Sequence, residues 1–172
     1  DVAVLIDRIG STFNYSPQRN FNPYVENINS PVRFPDPNFR AFVESFMGVA
    51  PGEGFTATQA AQKTGILNCA SMNISSLQGI EYFKKITVLY CQNNLLTSIN
   101  FGDHPNLYYV ICDDNQLTNL DVTILPALRY LYCKNNQLVS LNVSTNNQLE
   151  YLYCQNNQLE SVSSLAANTG LA

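Results

Sequence analysis

The sequence predicts an α/β solenoid, with about five short parallel strands on a concave face, extended convex segments and a small helical cap on the N-terminal side. Three observations carry that expectation. An eleven-residue stretch recurs almost unchanged, as Leu107-Tyr108-Tyr109-Val110-Ile111-Cys112-Asp113-Asp114-Asn115-Gln116-Leu117, again from Leu128 to Leu138, and again from Leu149 to Leu159. All five cysteines share one register of it, at positions 69, 91, 112, 133 and 154, so the steps are 22, 21, 21 and 21. A fixed period in the twenties marks an array of coils in which each unit buries its apolar side only against its neighbours. Finally, two capped helical patterns precede the first unit, where such an array needs its apolar end covered.

Each rung contributes one strand, and alternation along a strand assigns the faces. Leu131 and Cys133 point inward, while Tyr130, Tyr132 and Lys134 point outward onto the concave surface. Three residues after each later cysteine stands an asparagine, at 94, 115, 136 and 157, where the chain leaves the strand. A buried amide there is expected to pair backbone groups of adjacent coils, making an asparagine ladder. Apolar residues five and eight positions after each cysteine (Leu96 and Ile99, Leu117 and Leu120, Leu138 and Leu141, Leu159 and Val162) turn the chain back over the core. The segments 100–106, 121–127 and 142–148 are too short and too polar or proline-containing for helices and should run as extended chain and turns. The rung pattern L-x-x-L-x-C-x-x-N-x-L resembles the leucine-rich repeat, with cysteine where that family usually has an aliphatic residue; the resemblance implies a right-handed coil.

In chain order, residues 1–33 carry a short apolar run from Val2 to Ile6 and otherwise Asn, Pro, Ser and aromatic punctuation, read as an irregular flank or linker. Residues 34–66 form the cap. Asp36 is an N-cap, Pro37 suits the first helical position, Phe39, Phe42, Val43 and Phe46 follow helical spacing, and Gly48 stops the helix. Thr56 and Gln59 make a capping box for a second helix, with Gly65 as its stop. Residues 67–165 are repeats, the first degenerate, with Met72 at the asparagine position; 166–172 form a tail. Phe34-Pro35-Asp36-Pro37-Asn38-Phe39-Arg40, the run Ile74 to Phe83 and the C-x-N-N-Q-L rungs together resemble extracellular bacterial leucine-rich repeat proteins, broadly internalin-like. That resemblance implies a secreted or cell-surface binding protein. Many relatives carry an Asp-rich, calcium-loop-like turn between the cap helices, but here Gly48 to Gly54 offers Glu53 alone, so no metal is expected in the cap.

Composition narrows the function. With 172 residues, 45% apolar, 13% charged and a net charge of −4, the chain fits one domain with a substantial core. No basic run tracks a phosphate backbone, and no apolar stretch reaches the roughly 20 residues of a membrane span. The chain opens on Asp1 rather than methionine, which implies processing upstream, so the missing signal peptide carries no weight. Five cysteines at one inward position are expected to be buried free thiols; a zinc site needs ligands converging on one point. The one histidine, His104, beside Asp103 and Pro105, reads as a solvated turn residue with no serine or cysteine to activate. Asp113-Asp114 is expected to meet Lys134 one rung away as a surface ion pair. No catalytic residue and no cofactor is assigned.

Ten tyrosines rise above that background. Tyr90, Tyr109, Tyr130, Tyr132, Tyr151 and Tyr153 fall one or three residues before a rung cysteine and should share the concave face, with Ile111 extending their row. Cross-strand stacking that stabilises an exposed sheet accounts for them equally. As a contact surface they define a candidate ligand site, completed by Asp113, Lys134 and Gln155. A protein ligand is the expected partner. Stacked tyrosines as sugar platforms, and self-assembly as a homodimer through the C-terminal coil, stand as alternatives.

Overall fold

The computed structural model describes residues 33–163 and, in them, a parallel β-solenoid. Helix α1 (Pro37–Met47) leads into the four-residue α2 (Ala57–Ala60), and then into the coils. Strands β1 (Thr64–Asn68), β2 (Lys85–Tyr90), β3 (Tyr109–Ile111), β4 (Tyr130–Tyr132) and β6 (Tyr151–Tyr153) line up in that order as one parallel sheet. On the opposite side β5 (Ser140–Asn142) and β7 (Ser161–Ser163) pair as a short second sheet. A 3-10 turn, Ile80–Tyr82, lies on the convex side of the first coil.

The core is a stack of matching residues. Leu67, Leu89, Val110 and Leu131 are fully buried, as are Cys69, Cys91, Cys112 and Cys133, while the convex turns add Phe101, Val122 and Val143. Because every coil repeats the same apolar positions, burial is continuous along the axis. Asparagine 94, 115 and 136 form the predicted ladder. Asn136 Nδ2 donates to the carbonyls of Cys112 (3.0 Å) and Cys133 (3.2 Å), and its Oδ1 accepts from Leu117 N–H (3.0 Å). Asn115 repeats this one coil earlier and Asn157 one coil later. The residue before each ladder asparagine (Asn93, Asp114, Asn135, Asn156) has φ between 54 and 57°, the left-handed region that Asn and Asp tolerate best among residues with a Cβ. The recurrent Asn-Asn pair thus does two jobs, one in the turn and one in the core.

The cap follows the capping signals of the sequence, with one difference. Asp36 Oδ1 accepts from the N–H groups of Asn38 and Phe39 while its Oδ2 accepts from Ser75 N–H (2.8 Å) and Ser75 Oγ (2.7 Å), so one carboxylate starts the helix and ties it to the first coil. Phe34, Phe39, Phe55 and Phe83 interlock under it, with ring centroids 5.5 to 6.3 Å apart for Phe34 with each of the other three. Gly79 has φ 105°, and a Cβ there would sit 2.4 Å from the Phe34 ring, so only glycine lets the first coil approach the cap. The capping box of Thr56 and Gln59 is present, but α2 ends at Ala60, and Gly65 lies inside β1 rather than stopping a helix. Pairing of Thr64–Asn68 with β2, with a register shift between Gly65 and Ile66, takes over the chain first. Glycine serves that irregularity, where φ is 92°.

Candidate functional site

The concave face is built from four outward rows set by strand register. Tyr109, Tyr130 and Tyr151 align across β3, β4 and β6, and Ile111, Tyr132 and Tyr153 align beside them. The rings pack on one another. Tyr132 and Tyr153 stack at 4.7 Å between centroids with planes 17° apart, and Tyr130 and Tyr151 at 5.3 Å and 12°. Tyr109 leans across both rows, 5.1 Å from Tyr130 and 5.7 Å from Tyr132, and meets Tyr90 edge-on at 5.8 Å. All six tyrosines predicted for this face therefore form one connected aromatic sheet, half-buried by mutual contact except for the more exposed Tyr151.

Polar rows flank the rings on either side. On one edge Glu150 accepts from Arg129 Nε (2.9 Å) and from the Tyr130 hydroxyl (2.9 Å), and Arg129 Nη2 closes the ion pair. The hydrogen bonds and charge of Arg129, together with the Tyr130 hydroxyl, hold the Glu150 carboxyl below its ordinary value. The bond to that carboxylate in turn pushes the Tyr130 hydroxyl up. Burial, then the hydrogen bond with Tyr132 and the surrounding phenols, pushes Tyr109 up to about 12, so Tyr109 presents a neutral hydroxyl at physiological pH. On the opposite edge the expected ion pair between Asp113 and Lys134 is not made. Asp113 Oδ1 accepts the backbone N–H of Lys134 (2.6 Å), while the Lys134 ammonium lies 4.6 Å from the centre of the Tyr153 ring. The lysine stem is long enough to pass the carboxylate and seat its charge on an aromatic face. Burial pushes the Asp113 carboxyl up, and the bond from Lys134 opposes it. Gln155 is exposed at the end of that row.

Several features were not singled out beforehand. Tyr108, 37% exposed, extends the face beside Tyr109 and Tyr130; it lies just before β3, where strand alternation does not yet hold, so its distance from Cys112 did not mark it as outward. Ile66, 54% exposed, sits three residues before Cys69 and starts the same row on the first strand. An outer ladder also runs along the turns: Asn135 Nδ2 donates to Asp114 Oδ1 and Asn156 Nδ2 donates to Asn135 Oδ1, both at 2.7 Å. The thiols are free; four are buried, but Cys154, just after the terminal strand of the sheet, is only half-buried. Burial raises every one, with Cys69 pushed up to about 12, which suits inert packing groups rather than nucleophiles.

His104 corrects the sequence reading. It is fully buried, with neither ring nitrogen in a hydrogen bond, because its turn folds inward beneath the convex surface. Among the described residues no three His, Cys, Asp or Glu side chains gather to hold a metal ion, and no helix is long and apolar enough to cross a membrane. The tail 166–172 and the flank before residue 33 lie outside the described residues, as does the question of what covers the last coil.

Among solved structures, the chain is similar to the functional domain of InlJ from Listeria monocytogenes, described as including a cysteine ladder, with 31% identity and a TM-score of 0.66 over 81% of this chain and 35% of that one. It therefore spans about a third of the InlJ structure. Looser likenesses link it to internalin C2 of the same organism (18% identity, TM-score 0.41, 84% of this chain and 86% of that one) and to its internalin InlF (15%, 0.36, 86% and 70%). No family model and no curated protein matches the sequence.

Proposed function

The chain is an internalin-like leucine-rich repeat protein, and on that footing we propose that it is a secreted or cell-surface binding module that takes a protein ligand on its concave tyrosine face. The observation that supports this is the connected aromatic sheet running from Tyr90 to Tyr153, edged by the Arg129–Glu150 pair on one side and by Asp113 and Lys134 on the other. Large rings already locked by stacking lose little conformational freedom on binding. Their hydroxyls and the flanking charges supply the directional contacts that select a partner. Tyr90, Tyr109, Ile111, Asp113, Tyr130, Tyr132, Lys134, Tyr151, Tyr153 and Gln155 form the proposed contact set, to which Tyr108 is added. A glycan is the second reading, favoured by the stacked ring pairs Tyr130–Tyr151 and Tyr132–Tyr153. Parallel display of the domain on arrays of purified extracellular proteins and of glycans separates the two. Saturable capture of a protein and silence on the glycan array fits the first reading; the reverse assigns the face to sugars.

A further inference from the structure

His104, Leu125 and Asn146 occupy one register position on the convex side, each 13 residues after its rung cysteine (Cys91, Cys112, Cys133), and all three are fully buried. At Asn146 the side chain bridges to the preceding coil, with Nδ2 donating to the carbonyls of Val122 (2.8 Å) and Leu125 (2.9 Å). For His104 the same two carbonyls of the preceding coil belong to Ile80 and Phe83, on the 3-10 turn. These and the Phe101 carbonyl face the ring. The carbonyls lie near enough to favour the ring's N–H groups, but neither ring nitrogen reaches good hydrogen-bond geometry with them. A neutral ring stands where the next coil has leucine, against a shell that offers acceptors.

The seam it fills is tight and lies beside a surface cleft. A Cβ on Gly102 (φ 60°) would sit 2.6 Å from Glu81 Cβ, so the second coil's turn presses directly on the 3-10 turn. Outside it lies a cleft of about 380 Å³ bordered by Thr58, Glu81, Lys84 and Asp103. Asp103, on its own turn, is the charged group that acts on His104, while Glu81, Lys84 and the Tyr82 phenol, on the preceding coil, line the same cleft. Helix α2 (Ala57–Ala60) and the following turn, Thr123 to Pro126, contribute no ionisable group.

We propose that His104 is an acid-operated latch between the first coil and the second: neutral, it fills the convex slot and holds the 3-10 turn closed; protonated, it parts that seam while the later coils stay shut. Burial of the ring disfavours the charged form, and the carbonyls of Phe101, Phe83 and Ile80, with Asp103, only partly oppose this. An unfolded or opened histidine takes up its proton near 6.5, so the closed state is favoured above that pH and loses ground as pH falls below it. This holds whether or not the tyrosine face binds a protein.

Native-state hydrogen exchange on the full chain tests it, comparing wild type with His104→Leu, which copies Leu125, at matched pH from about 7.5 to about 5. Asp103, Glu81 and Lys84 are present in both, so their titration cancels. Wild type is expected to lose protection at residues 80–86 and 101–107 relative to the variant, by up to about tenfold per pH unit below about 6.5, with residues 130–136 unchanged. If the leucine variant fails to fold, His104→Asn, which copies Asn146, takes its place. Identical pH responses in wild type and variant, loss spread evenly over all rungs, or a gain of protection in wild type on acidification would overturn the latch.

Discussion

Asn136 Nδ2 lies 3.0 Å from the carbonyl oxygen of Cys112 in the coil before it, and the same amide closes the turn of its own coil on Cys133. Replacing it by alanine strips partners from buried backbone groups on two coils at once. Asn136→Ala is therefore expected to cost about 1–3 kcal/mol in denaturant unfolding. Gln137→Ala, one residue on and exposed, should stay within about 0.5 kcal/mol. Asn135 is not a neutral control, since its φ of 54° penalises alanine in its own right. Equal midpoints for the 136 and 137 variants would refute the inward ladder.

Stacking makes its own prediction. Tyr132 and Tyr153 sit 4.7 Å apart and nearly parallel, so a double-mutant cycle to alanine should return a coupling of about 0.5–1.5 kcal/mol. Additive losses would mean that the rings share a face without supporting one another.

Thiol chemistry should report position along the solenoid. Cys154, half-buried just after the last strand of the sheet, is expected to react with a thiol reagent in the native protein before the others, and Cys69, Cys91, Cys112 and Cys133 only on unfolding. Mass mapping after brief labelling checks the order, and early labelling of Cys112 would contradict the stacked core.

Acid should act on the cap through Asp36. Burial pushes this carboxyl up, but the bonds from Phe39, Ser75 and Asn38 outweigh it and hold it below its ordinary value of 3.8. A group depressed in the folded state stabilises above its unfolded value and loses that contribution as pH falls through the folded one. Asp36→Asn is thus expected to melt lower near neutral pH, with the gap to wild type starting to close only as pH falls below about 4 and vanishing below the depressed folded value. A constant gap across the acid range would show that the charge plays no part.

Periodicity made much of this fold legible, because a residue that must stack on its own copies leaves a repeating trace. Cysteine, leucine and asparagine registers gave the strands, the core and the ladder, and the Asp36-Pro37 and Thr56-Gln59 signals gave both helix starts. What escaped depended on single positions. His104 looks like a turn residue by its neighbours, and only its distance of 13 residues from Cys91, shared with buried Leu125, gives its burial away. Gly65 carries the mark of a helix stop, yet strand pairing with β2 claimed it. Lys134 had two partners within reach, and the choice of the Tyr153 ring over Asp113 is a matter of side-chain geometry that no spacing encodes. The aromatic rows were visible as a pattern, whereas the Glu150 bridge that orders Tyr130 and Arg129 was not.

The most direct test of the concave face is the affinity of a purified protein ligand, taken from the extracellular protein array, for wild type and for the Tyr132→Ala/Tyr153→Ala variant, with Ile124→Ser on the exposed convex side as control. All three must first show the same circular dichroism and cooperative melting. Removing two central aromatic contacts is expected to weaken binding by at least about 2 kcal/mol, roughly thirtyfold, with the convex control matching wild type. Unchanged affinity in the tyrosine variant, or a loss confined to the convex control, would contradict a binding role for this face.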